Sequence, residues 1–151
     1  MVLVAFVVVV MRYVFSVGFV WLQESYVWMH GVVFMVGAGY TLLKEGHVRV
    51  DIVYRDASQR YKAWIDLGGA LLLLAPMIGM VAYEAWPYVV DSWSRLEESR
   101  EAGGLQGLYL LKTVILVFCL AVGLQGLSLA LRSTLVLAGR TEFATSSDRD
   151  T

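Results

Sequence analysis

Apolar residues run through this chain in long blocks with almost no alternation. VLVAFVVVVM follows Met1, VVFMVGAGYTLL fills 32–43, LGGALLLLAPMIGMVAY fills 67–83 and LVFCLAVGLQGLSLAL fills 116–131. Continuous blocks predict helices buried on all sides or immersed in lipid, since strands with one solvated face alternate. A helix also satisfies its own backbone in hydrocarbon, which an isolated strand cannot do. Crossing that layer takes about 20 apolar residues, or roughly 17 with some thinning of the bilayer. Four segments qualify, at about 1–20, 27–43, 64–86 and 108–137. The expected fold class is therefore an all-α integral membrane protein with four transmembrane helices. Residues 1–140 would form this membrane domain. The polar tail TEFATSSDRDT, 141–151, has no periodicity and is expected to be disordered.

Polar positions divide the spans. WLQES, 21–25, is all that separates the first two and predicts a tight hairpin or sharp bend. The other two connections are longer, 44–62 and 88–107. Lys44, Arg49, Arg55, Arg60 and Lys62 crowd the former, against Glu45, Asp51 and Asp56. The latter carries Arg95 and Arg100 against Asp91, Glu97, Glu98 and Glu101. Cytoplasmic loops are enriched in Lys and Arg, so the basic connection faces the cytoplasm and the acidic one faces outward. Four spans then leave both termini cytoplasmic, and Arg132 and Arg140 agree. Trp21, Tyr26, Trp28, Trp86, Tyr88, Trp93 and Tyr109 fall at the outer interface; Tyr54, Tyr61 and Trp64 fall at the inner one. Amphipathic rings anchor at that depth. In the basic stretch, Asp51 precedes Arg55 by four and Asp56 precedes Arg60 by four, which suits a surface helix. VRVDIVY also alternates like a strand, and a solvated loop held by anionic lipid fits as well.

Composition sharpens the picture. Of 151 residues, 58% are hydrophobic and only 17% are charged, fewer charges than a soluble domain of this size carries. The net charge of -1 comes with no basic patch able to track phosphates, so nucleic acid is not an expected partner. One cysteine, Cys119, allows neither an internal disulfide nor a Cys-x-x-Cys redox pair. A basic region ahead of the first apolar block, as in a secretory signal peptide, is not seen.

Candidate chemistry is sparse. About 25 Å of helix separates His30 from His47, so one copy of the chain cannot bring them to a shared metal or haem. His47 and Asp51 could share a face, but two ligands do not make a metal site. No cofactor, metal or catalytic residue is expected. Ionisable groups within spans are functional suspects by default: Arg12, Glu24, Asp66, Glu84 and Lys112. Asp66 and Glu84 lie about 27 Å apart along one helix and cannot pair. Lys112 is close enough to the outer interface to snorkel. Arg12 needs a carboxylate, from Glu24, Glu84 or another subunit. Pro76 predicts a kink in the third helix. Transporters place substrate near the midplane, often at broken helices, and these residues build no such site. Packing features are plentiful. Gly126 and Ala130 form a small-xxx-small pair, Gly123 adds a close approach, and Gln125 can bond across a helix interface for about 0.5–2 kcal/mol. Such surfaces serve packing within the bundle, docking of a larger membrane partner, or both.

A family pattern emerges from these pieces. RYVF at 12–15 and WLQES at 21–25, GHVRVD at 46–51, EAGGLQGLYLLK at 101–112 and LQGL at 124–127 resemble, in order, segments of the small membrane subunits of tripartite ATP-independent periplasmic (TRAP) transporters, the DctQ-like family. The pattern spans about residues 5–140. It departs where Gln23 replaces the first of two acids and where Ala102 and Gln106 replace prolines around the Gly-Gly turn. The resemblance implies a subunit of the bacterial inner membrane that binds a large membrane subunit carrying the substrate and sodium sites. A periplasmic solute-binding protein would deliver an organic acid, with uptake driven by an ion gradient. It marks Arg12, Glu24, His47, Asp51, Gly103, Gly104, Lys112, Gln125 and Gly126 as structural or interface positions. The acidic outer loop, with Glu97, Glu98 and Glu101, would be free to contact the binding protein. The alternative is a self-contained homodimeric exporter with Glu24 or Arg12 as its coupling residue.

Overall fold

The computed structural model describes residues 1–43 and 58–139, and everything described is helix or connection. Helix α1 is Val2–Tyr13 and α2 is Val20–Leu43. Next, α3 (Gln59–Gly68) passes through a π turn, Gly69–Leu74, into α4 (Ala75–Ser94). Helix α5 is Leu108–Leu137. His47, Asp51, the pairs Asp51–Arg55 and Asp56–Arg60, and the tail 141–151 lie outside the described residues.

Each boundary has a local cause. Ser16 takes left-handed backbone (φ 56), and Val17 N–H returns to the Met11 carbonyl at 3.0 Å, which closes α1 after 12 residues. At about 18 Å it is too short to cross hydrocarbon. The chain then turns through 14–19, so Trp21–Ser25 are the first turns of α2 and not the connection their polarity suggested. Ser58 caps α3, accepting from Tyr61 N–H. Gly139 (φ 92) closes α5, its N–H bonding the Val136 carbonyl at 3.1 Å.

Helix continues from Gln59 to Ser94, well past the expected end at residue 86, so the second long connection shortens to 95–107. Proline explains the irregularity inside it. Pro76 has no N–H, and its ring would collide with the carbonyl four residues back. The chain widens into a π turn just before it, over Gly69–Leu74.

Among the described residues two helices are long and apolar enough to cross a membrane, Arg60–Ser94 and Leu108–Leu137. Only 11% and 22% of their most apolar windows are buried within the protein. A soluble core helix would hide most of that surface; here Leu72, Leu73, Met80, Leu120, Leu124, Leu127 and Leu131 are exposed. Apolar exposure on this scale marks lipid or partner contact. Along α5 the buried positions recur as Lys112, Cys119, Val122, Gly126, Ala130, Ser133 and Val136, a narrow seam at heptad spacing. From Lys112 to Arg132 the helix is about 30 Å long, the thickness of a hydrocarbon core.

Two compact units make up the chain, Met1–Ala38 with Ala82–Phe118 and Gly39–Val81 with Cys119–Thr151. In the second, Gly39 meets Ala121 and Gly126 meets Leu74. Ala63 and Val136 share a small core against which Leu137 packs.

Candidate functional site

The polar groups of the first unit gather around the connection 95–107. The end of α4 sets up the first cluster. Leu96 adopts left-handed backbone (φ 47), Glu97 N–H bonds the Ser92 carbonyl at 3.0 Å and Leu96 N–H bonds the Trp93 carbonyl at 3.2 Å. This is a Schellman closure, in which the two residues past the helix return their N–H groups to its last carbonyls. An apolar contact often accompanies that motif. A polar one replaces it here: Ser92 Oγ donates to Glu97 Oε2 at 2.8 Å, and Ser92 is 1% exposed.

Lys112 then reaches the same carboxylate from the first turns of α5. Its Nζ donates to Glu97 Oε2 and lies 3.8 Å from the centroid of the Tyr88 ring. The ammonium is thus neutralised by an anion and covered by an aromatic face. Lys112 is only 9% exposed, so it does not snorkel; it is held inward. These donors, Lys112 first and Ser92 next, hold the Glu97 carboxyl below the usual carboxylate range, with Arg100 contributing at longer range. Beside this cluster, Trp93 Nε1 donates to Thr113 Oγ1 at 2.9 Å. The Trp93 and Tyr109 rings meet edge to face at 4.6 Å.

Glu24 builds the second cluster from α2. Its Oε1 accepts from Ser99 Oγ and its Oε2 accepts from Leu105 N–H at 2.6 Å. Ser99 N–H bonds the Leu105 carbonyl at 3.3 Å, and Ser99 Oγ accepts from Glu101 N–H at 3.2 Å. The turn between them needs glycine twice. Gly103 has φ 78, and a Cβ on Gly104 would lie 2.8 Å from Glu24 Oε2. Both oxygens of Glu24 are therefore engaged by the connection, and it is not the partner of Arg12.

Other expected positions stand apart. Arg12 is exposed at the end of α1 and forms no ion pair among the described residues. Gln125 is half-buried on α5 without a hydrogen bond among the described residues. Gly126 packs on Leu74, where a Cβ would come within 2.6 Å of its Cδ2. The clusters also recruit Ser92, Ser99 and Thr113, which the sequence does not single out, and Trp93, expected only as an interface anchor. Hydroxyls are common in any sequence, and the partners of Glu24 lie 75 and 81 residues away along the chain. Only the Gly-Gly dipeptide hinted at a close approach. No group of three or more metal-ligating side chains occurs among the described residues.

Compared with known proteins, residues 1–136 match the family model described as tripartite ATP-independent periplasmic transporters, DctQ component. No curated protein and no solved structure matches the chain.

Proposed function

The chain belongs to the DctQ component family of tripartite ATP-independent periplasmic transporters, and from that premise we propose that it is the small membrane subunit that scaffolds a large one. The large subunit carries substrate and coupling-ion sites. A solute-binding protein in the periplasm delivers an organic acid, and an ion gradient in the bacterial inner membrane drives uptake. The two long apolar helices, Arg60–Ser94 and Leu108–Leu137, cross the membrane, and the 95–107 connection between them lies on the outer side.

The observation that carries the scaffold role is where the polar groups go. Glu24, Glu97 and Lys112 are committed to the chain's own 95–107 connection. A solute would need such groups converging near the midplane. The surface that remains on α4 and α5 is largely apolar and exposed, suited to lipid and to another membrane protein.

Reconstitution tests this. The expected result is solute uptake in proteoliposomes holding this chain, its large partner and the binding protein, and none when this chain is reconstituted alone. Transport by this chain alone would overturn the scaffold and favour the homodimeric exporter.

A further inference from the structure

The connection 95–107 is held more firmly than joining α4 to α5 requires. A flexible loop of that length closes at little entropic cost. Instead it is fixed at three places. Leu96 accepts left-handed backbone (φ 47), which is disfavoured for any residue with a Cβ. Glu97 is tied to Ser92 and Lys112. Glu24 reaches in from α2, outside the α4–α5 hairpin, and holds Ser99 and the Leu105 N–H.

Part-buried polar contacts such as the Lys112–Glu97 pair contribute little net stability compared with apolar groups of the same size. What they do contribute is one defined geometry. Between and beside the three anchors, Glu98, Arg100, Glu101, Ala102 and Gln106 are all exposed. Trp93 stands at the end of α4 and Tyr109 at the start of α5, an aromatic pair at the border of both apolar stretches, which puts the exposed residues of the connection on the aqueous side of the interface. A partner that reads them is water-soluble and approaches end-on, so it is neither a lipid nor a neighbouring transmembrane helix.

We infer that Glu24 is a positioning residue for an outer docking surface, formed by residues 98, 100–102 and 106, that receives the solute-binding protein. The inference rests on the proposed function and its outward orientation of this connection. Glu24 makes no contact with the partner itself; it shapes the loop that does.

Two variants in the reconstituted three-component transporter test it. With Glu24→Ala, the Leu105 amide exchanges hydrogen faster, the KM for the binding protein rises about fivefold and kcat at saturation is unchanged. Glu24→Gln, which keeps an acceptor for Leu105 N–H, restores most of both. Ala102→Trp adds bulk at the exposed surface and leaves the anchors alone. It raises the same KM without changing Leu105 exchange. An unchanged KM in Ala102→Trp overturns the surface, even if Glu24→Ala fails to assemble. A KM unchanged by Glu24→Ala despite faster exchange overturns the positioning role. Wild-type uptake that ignores the binding protein overturns the proposed function, and this inference with it.

Discussion

Glu97 accepts from Lys112 Nζ and Ser92 Oγ, and both donors favour its ionised form, holding its carboxyl below the ordinary 4.5. Since the folded value is depressed, the carboxylate's contribution is complete above the ordinary value and is lost as pH falls through the lowered one. We expect the 95–107 connection to loosen in acid, read as faster amide exchange at Leu96 and Glu97 or a change in Trp93 fluorescence. Glu97→Gln should remove most of that acid dependence and weaken the connection at neutral pH. A wild-type loop that never loosens as the pH is lowered toward acid unfolding would contradict the clamp. Glycines make a second contrast. A Cβ on Gly39 would sit 3.0 Å from Ala121 Cβ and 3.4 Å from its carbonyl carbon, and that backbone cannot yield. A Cβ on Gly79 meets nothing within 4 Å. Gly39→Ala should destabilise the purified chain by about 1–3 kcal/mol, whereas Gly79→Ala should be neutral or stabilise by up to about 1 kcal/mol. Thermal unfolding in detergent separates them. Sequence alone does not separate the two, because crowding depends on what the facing helix presents.

At the level of elements, Pro76 and the π turn before it determine the register of α3. A π turn carries one extra residue, so it rotates everything ahead of it by about 100° relative to an unbroken α-helix. That rotation sets which face of α3 presents Ala63 to Val136. Pro76→Ala should let the turn relax into α-helix and carry Ala63 off its contact. Cysteines at 63 and 136 should crosslink readily in the Pro76 background and poorly with Pro76→Ala; equal crosslinking would separate the proline from the register. Lone Cys119 is buried and interferes little. Pro76 announced an irregularity, but not its form, since a kink and a widened turn both answer a missing N–H. Helix also extends beyond the apolar blocks at the start of α2 and the end of α4. WLQES and YVVDSWS contain the polar residues expected of connections, yet helix runs through both. Backbone hydrogen bonds inside a helix are indifferent to whether its outer face is wet.

For the whole molecule, the proposed arrangement places 95–107 outside and residues near 58 inside. A membrane-impermeant thiol reagent should label Glu98→Cys in intact cells and Ser58→Cys only after lysis. Labelling of both from outside would rule out the arrangement. The basic stretch 44–62 against the acidic 88–107 suggested this polarity without any coordinates, because charge asymmetry acts during insertion, before tertiary contacts exist.

The sequence by itself determined a helical chain built for lipid. Continuous apolar blocks admit few other solutions once every backbone N–H must find an acceptor. Its motifs also pointed to the family, and they singled out Glu24, Gly104 and Lys112 without revealing what each one meets. Tertiary structure alone decided that Glu24 closes on Ser99 and Leu105, that Lys112 turns inward to Glu97 under Tyr88, and that Gly39 is crowded while Gly79 is open. Hydrophobic patterning repeats over a few residues and is written along the chain. A bond between residues 81 positions apart exists only once the helices that carry them have packed.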